Sequence, residues 1–95
     1  MVIHSATKFL SGHHDVLAGV AVTNNEKIAE QISFSQMAVG ATISPFDSWL
    51  LMRSLKTLKI RVEEAQRNTE KLIEFFENHP AVETVLYPTA KNNVG

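Results

Sequence analysis

A chain of 95 residues, 44% hydrophobic and 20% charged, has the balance of one small globular domain; no apolar run approaches the ~20 residues that span a bilayer. A net charge of −1 supplies no field to draw nucleic acid or an anionic membrane surface, so neither is expected as a partner. The absence of cysteine removes disulfides and thiol catalysis, and the opening MVIHSATK lacks the basic and apolar regions of a secretory signal, so a cytoplasmic protein is expected.

Val2 to His4 reads as a short strand feeding a loop at Ser5. Gly19 to Thr23, rich in small and β-branched residues and bounded by Asn24-Asn25, reads as a second and buried strand. The asparagines then cap a helix from about Glu26 to Met37, with Ile28, Ala29 and Ile32 as its apolar stripe and Gly40 as its stop. Next comes SPFD, which combines a Ser44 N-cap, Pro45 at the first helical position and Asp47 in the first turn. Leu51, Leu55, Leu58, Val62, Ala65, Leu72, Ile73 and Phe76 follow at spacings of three and four, until Pro80 forces His79 out of helical geometry. Val82 to Leu86 is a third strand candidate, ahead of Pro88.

The helix expected from Pro45 to Asn78 covers about 34 residues, or roughly 50 Å with room for a kink, against a radius of gyration near ~13 Å for a domain of this size. Its stripe is longer than the remaining elements can cover, which suggests a piece of a larger protein. Arg53, Lys56, Lys59, Arg61 and Arg67 are interleaved with Glu63, Glu64 and Glu70, the composition of a solvated face rather than a nucleic-acid patch. Trp49 is expected to pack, Asp47 to serve as a cap residue, and Arg53 and Arg61 to form structural ion pairs.

Chemistry concentrates in HSATKFLSGHHD, residues 4 to 15. Three readings compete on the residues alone. Ser5-Ala6-Thr7-Lys8 has the S-x-x-K spacing of penicillin-recognising enzymes, but the Ser-Asp-Asn and Lys-Thr-Gly elements that complete such sites are absent. His4, His13, His14 and Asp15 have the donor chemistry for a transition metal without its usual spacing, and a metal site is not expected. Lys8 follows a strand and two hydroxyl residues. Such a lysine can hold a cofactor aldehyde while Ser5 and Thr7 donate to its phosphate, with Phe9 and Leu10 anchoring the backbone and Gly12 allowing a tight loop.

HSATKFLSGHHDVLAGVAVT resembles the lysine signature of the Cys/Met-metabolism family of pyridoxal-phosphate (PLP) enzymes, which includes cystathionine γ-synthase, cystathionine β-lyase, cystathionine γ-lyase and methionine γ-lyase. Ser5 through His14 fill each place of that motif, and the similarity continues through GATISPFDSWLLMRSLKTLKIR and HPAVETVLYP. The resemblance implies an α/β fold: a fragment of the large domain of a PLP-dependent transferase of fold type I, ending in the long interdomain helix and a following strand. Residues 1–44 would close the PLP-binding large domain, and 45–95 would be the interdomain helix and the start of the C-terminal domain. It further implies pyridoxal 5′-phosphate as cofactor, Lys8 as the Schiff-base lysine and proton shuttle, and Ser5 and Thr7 as phosphate ligands. The expected reaction is elimination or replacement on cystathionine and related sulfur or O-acylhomoserine amino acids. Small-molecule substrates and a homo-oligomer, the family's tetramer, are the implied partners. The isolated chain is expected to be inactive, because the family's other site residues lie outside it. The alternative from another class is a non-catalytic helical module that associates through its apolar stripe.

Overall fold

The computed structural model describes residues 1–90. The chain divides into two compact units, Met1–Lys59 and Ile60–Gly95.

In the first unit, β1 (Val2–Ser5) and β2 (Gly19–Val22) pair antiparallel, with Val2 opposite Val22 and Ser5 opposite Gly19. Both strands arise where the sequence places them, but β2 is mostly exposed rather than buried, because the two strands form a ribbon by themselves. A wide turn over Ala6–Leu10 joins β1 to the loop that returns to β2. The small core lies under this turn: Ala6 is 0% exposed, Ser11 is 0% and Val16 is also buried. Only small side chains fit there. The helix α1 (Glu26–Val39) starts where Asn25 accepts the Ile28 N–H at 3.2 Å, and it ends at Gly40 with φ +72°. A left-handed residue after the last turn is readily supplied by glycine, which has no Cβ to clash. In α2 (Pro45–Leu55), the Ser44 hydroxyl accepts the Asp47 N–H at 3.0 Å, so the cap forms as its sequence indicates. This helix lies against the Ala6–Leu10 turn.

The long helix expected from Pro45 to Asn78 is interrupted. At Lys56 and Thr57 the amides donate three residues back, to Arg53 and Ser54, and the Thr57 hydroxyl also donates to the Ser54 carbonyl. These tighter bonds replace the four-residue ladder, and α3 (Leu58–Glu77) begins afresh. No proline or glycine marks the break.

In the second unit α3 stops at Glu77, where the Asn78 side-chain Nδ2 donates to the Glu74 carbonyl at 2.7 Å and Pro80 prevents continuation. Phe75 meets Phe76 edge to face at 5.3 Å. The strand expected at Val82 to Leu86 does not form among the described residues; the segment is irregular and closes in a turn at Tyr87–Ala90. A strand requires an edge to pair with, and the described residues of its own unit offer none. Residues 91–95 of the expected 45–95 segment lie outside the described residues.

Neither α1 nor α3 buries a residue, and Phe34, Met37, Ile60, Leu72, Phe75 and Phe76 are all exposed. Trp49, expected to pack, is 57% exposed and only stacks on Phe46 at 6.0 Å. Among the described residues no helix is long and apolar enough to cross a membrane.

Candidate functional site

The strand β1 delivers its last residue, Ser5, to the ribbon end, and the chain then wraps around the carbonyl of Ala18. That oxygen accepts the amides of both Ala6 (2.9 Å) and Thr7 (3.2 Å). Thr7 completes the clip with its side chain. Its Oγ1 accepts the Ala18 N–H at 2.9 Å and donates back to the Ala18 carbonyl at 3.3 Å. Two residues eleven apart in sequence are thereby locked together.

Beyond Thr7 the turn is closed by the Ser11 N–H on the Ala6 carbonyl, five residues back at 2.9 Å, and by the Gly12 N–H on the Lys8 carbonyl at 2.8 Å. The five-residue spacing makes the turn wider than an α-helical one, and it is centred on Lys8, whose φ −87° and ψ −120° are not helical. Gly12 leaves the turn at φ +71°. The buried Ser11 hydroxyl donates to the Thr7 carbonyl at 2.9 Å, which satisfies a group that would otherwise be costly to bury.

The three residues picked out by sequence therefore sit together at one strand end, in different states. The Ser5 side chain is exposed and makes no hydrogen bond to the described residues. Thr7 is half-buried, with its oxygen held short and its proton held long. The Lys8 side chain is exposed, and its amine has no partner among the described residues. Phe9, expected to anchor the turn, is 60% exposed; the anchoring is done by Ala6 and Ser11.

An amine beside two hydroxyls can add to a carbonyl while the hydroxyls bind an anion. That donor set fits an aldehyde-bearing phosphate ester. A serine nucleophile would need a base within hydrogen-bond reach, and Ser5 has none among the described residues. No three histidine or acidic side chains gather as a metal site among the described residues. His13 is engaged elsewhere: its Nδ1 is 2.6 Å from the Ser11 carbonyl and 3.1 Å from Ser54 Oγ on α2. His14 takes φ +60° on the exposed side of the loop. Arg53 forms no ion pair among the described residues, contrary to expectation, while Arg67 pairs with Glu64 at 2.9 Å on the exposed face of α3.

Sequence reasoning missed Ala18 and Ser54. Ala18 acts through its backbone and leaves no signal. Ser54 had one: three residues after Leu51 and four before Leu58, it is a polar residue on an apolar stripe.

A family model described as Cys/Met metabolism PLP-dependent enzyme matches residues 1–95. The chain is 47% identical over 95 residues to the cystathionine gamma-lyase of Bacillus subtilis, covering 100% of this chain and 25% of that protein. It is 49% identical over 88 residues to a cystathionine gamma-synthase/O-acetylhomoserine (thiol)-lyase of the same organism, covering 93% of this chain and 24% of that protein. The crystal structure of metB from Corynebacterium glutamicum superposes with a TM-score of 0.92 at 44% identity, over 96% of this chain and 24% of that one. The chain spans about a quarter of the length of these relatives.

Proposed function

The chain belongs to the Cys/Met metabolism PLP-dependent enzyme family, and from that premise we propose that Lys8 is the covalent anchor of pyridoxal 5′-phosphate, with Ser5 and Thr7 holding the phosphate. The observation that carries this reading is the turn itself, which carries within four residues two hydroxyls and an exposed amine that has no partner among the described residues. The Ser5 hydroxyl, exposed and without a hydrogen bond among the described residues, has a donor to give. The Thr7 proton is spent on a 3.3 Å contact, so it can turn to a phosphate oxygen while the Ala18 N–H keeps the Thr7 oxygen in place.

The complete enzyme then carries out β- or γ-elimination, or γ-replacement, on cystathionine and related sulfur or O-acylhomoserine amino acids. The identities of 47% to a lyase and 49% to a synthase do not separate the two reactions. When bound, the cofactor supplies an electron sink for charge that develops as the substrate's Cα loses its proton. The chain's own part is to place Lys8 Nζ, which takes the proton from Cα and, in γ-chemistry, from Cβ. The hydroxyls of Ser5 and Thr7 keep the phosphate fixed while Lys8 moves, so orientation is not lost between steps.

Residues 1–44 are read as the end of the PLP-binding large domain and 45–95 as the long interdomain helix, here broken into α2 and α3, and the start of the C-terminal domain, a division supported by the capped start at Ser44. The complete enzyme is read as a cytoplasmic homo-oligomer. The isolated chain is read as inactive, because positioning and electrostatics supply most of an enzyme's rate enhancement and three quarters of the relatives' length lies outside it.

Borohydride reduction of the complete, PLP-loaded enzyme that carries this chain, followed by peptide mapping, tests the central assignment. Label is expected on Lys8, and label on Lys27 or Lys56 instead would overturn it. Turnover of cystathionine by the isolated chain at the rate of the complete enzyme would overturn the expected inactivity.

A further inference from the structure

Ser11 and Ser54 are the buried polar residues among the described part of the chain, and one imidazole joins them. His13 Nδ1 lies 2.6 Å from the Ser11 carbonyl. A carbonyl can only accept, so Nδ1 carries the proton and donates. The same N–H is 3.1 Å from the Ser54 hydroxyl, forty-one residues further along the chain and only 5% exposed. Ser54 is therefore a point at which α2 meets the loop leaving the lysine turn. The set continues inward, because the Ser11 hydroxyl donates to the Thr7 carbonyl and the Gly12 amide to the Lys8 carbonyl. It continues along α2 as well, since the Ser54 carbonyl accepts the Thr57 amide and hydroxyl where the helix breaks.

We propose that His13 and Ser54 form a positioning latch, in which the imidazole, held as its Nδ1–H tautomer, ties the Ser11 carbonyl to α2 and so fixes the turn that aims Lys8. Neither residue touches the reacting atoms. Backbone bonds close the turn on itself, at Ser11 to Ala6 and Gly12 to Lys8, and α2 packs against it, but packing alone is not a directed relation between the two. The latch supplies that relation through a buried contact, and its consequence for chemistry rests on the reading of Lys8 given above. A lysine that must reach a cofactor carbon and a substrate proton in turn depends on where its backbone is held, since misplacement by about 1 Å can cost a hundredfold in rate.

The test uses the complete cofactor-loaded enzyme and paired variants that separate the hydroxyl from the space it fills. Ser54→Thr and Ser54→Val add nearly the same volume to a buried site, but only the first retains an oxygen for His13. His13→Asn keeps an N–H near the position of Nδ1, and His13→Leu does not. Deuterium exchange across residues 6–12 is expected to quicken about three- to tenfold in Ser54→Val and His13→Leu, and to stay within about twofold in Ser54→Thr and His13→Asn. The induced circular dichroism of the cofactor band, which reports how Lys8 holds it, should fall in the first pair and be retained in the second. Equal behaviour of Ser54→Thr and Ser54→Val, or unchanged exchange in both, overturns the latch. Hydroxyl-dependent exchange with no borohydride label on Lys8 overturns the cofactor assignment and leaves the latch standing.

Discussion

Thr7→Val removes one hydroxyl at nearly constant volume, and the structure gives that hydroxyl two jobs. It accepts the Ala18 N–H at 2.9 Å, so the variant strands a backbone donor in a part-buried position. A fully buried unsatisfied donor costs about 1–3 kcal/mol. Thr7 is only half-buried, and the Ala18 carbonyl keeps the Ala6 and Thr7 amides, so a local loss of about 1–2 kcal/mol is expected. In the loaded enzyme the same change deletes a hydrogen bond to a charged phosphate, worth roughly 1.5–3 kcal/mol, or about a ten- to hundredfold weaker affinity. Absorbance titration of the cofactor-free enzyme with PLP measures the second effect, and hydrogen exchange at Ala6, Thr7 and Ala18 measures the first. Thr7→Ser keeps the hydroxyl and loses only a methyl group, so it should bind PLP close to the unsubstituted enzyme. If Thr7→Val binds PLP as tightly as the unsubstituted protein, or Thr7→Ser as weakly as Thr7→Val, the dual role is refuted.

Ser44→Ala deletes the 3.0 Å cap on the Asp47 amide and should lower the stability of α2 by about 1 kcal/mol, read as faster exchange of its first-turn amides with the rest of the helix little changed. Gly40→Ala meets nothing within 4 Å, so its cost comes only from φ +72°; a loss of about 1 kcal/mol by denaturant unfolding is expected, with Gly40→Asn milder. The isolated chain should self-associate, because open apolar surface is worth about 25 cal/mol per Å² when buried and α3 leaves Leu72, Phe75 and Phe76 exposed. Leu58→Glu combined with Ile73→Glu should shift it toward monomer or unfold it, and ultracentrifugation showing a compact monomer both before and after the substitutions would contradict this.

By itself the sequence determined whatever depends on neighbours three or four residues away. The Asn25 cap, the glycine stop at position 40 and the Ser44-Pro45-Asp47 start are each closed by bonds within one helical turn, so residue type and spacing suffice to foresee them. The lysine signature was equally legible, because each place of the motif is filled by consecutive residues. Tertiary structure alone decided what joins distant segments. The clip of Thr7 on Ala18 spans eleven residues and that of His13 on Ser54 forty-one; Ser54 stands out as a polar residue on an apolar stripe, but no local pattern announces which residue it meets. The same reason accounts for the two elements that departed from expectation. Val82 to Leu86 has a strand's composition but no edge to pair with among the described residues of its own unit, and propensity without a partner makes no strand. The break at Lys56–Thr57 has no proline or glycine to foretell it; it begins two residues after Ser54, the residue whose hydroxyl meets His13 and whose carbonyl holds Thr57.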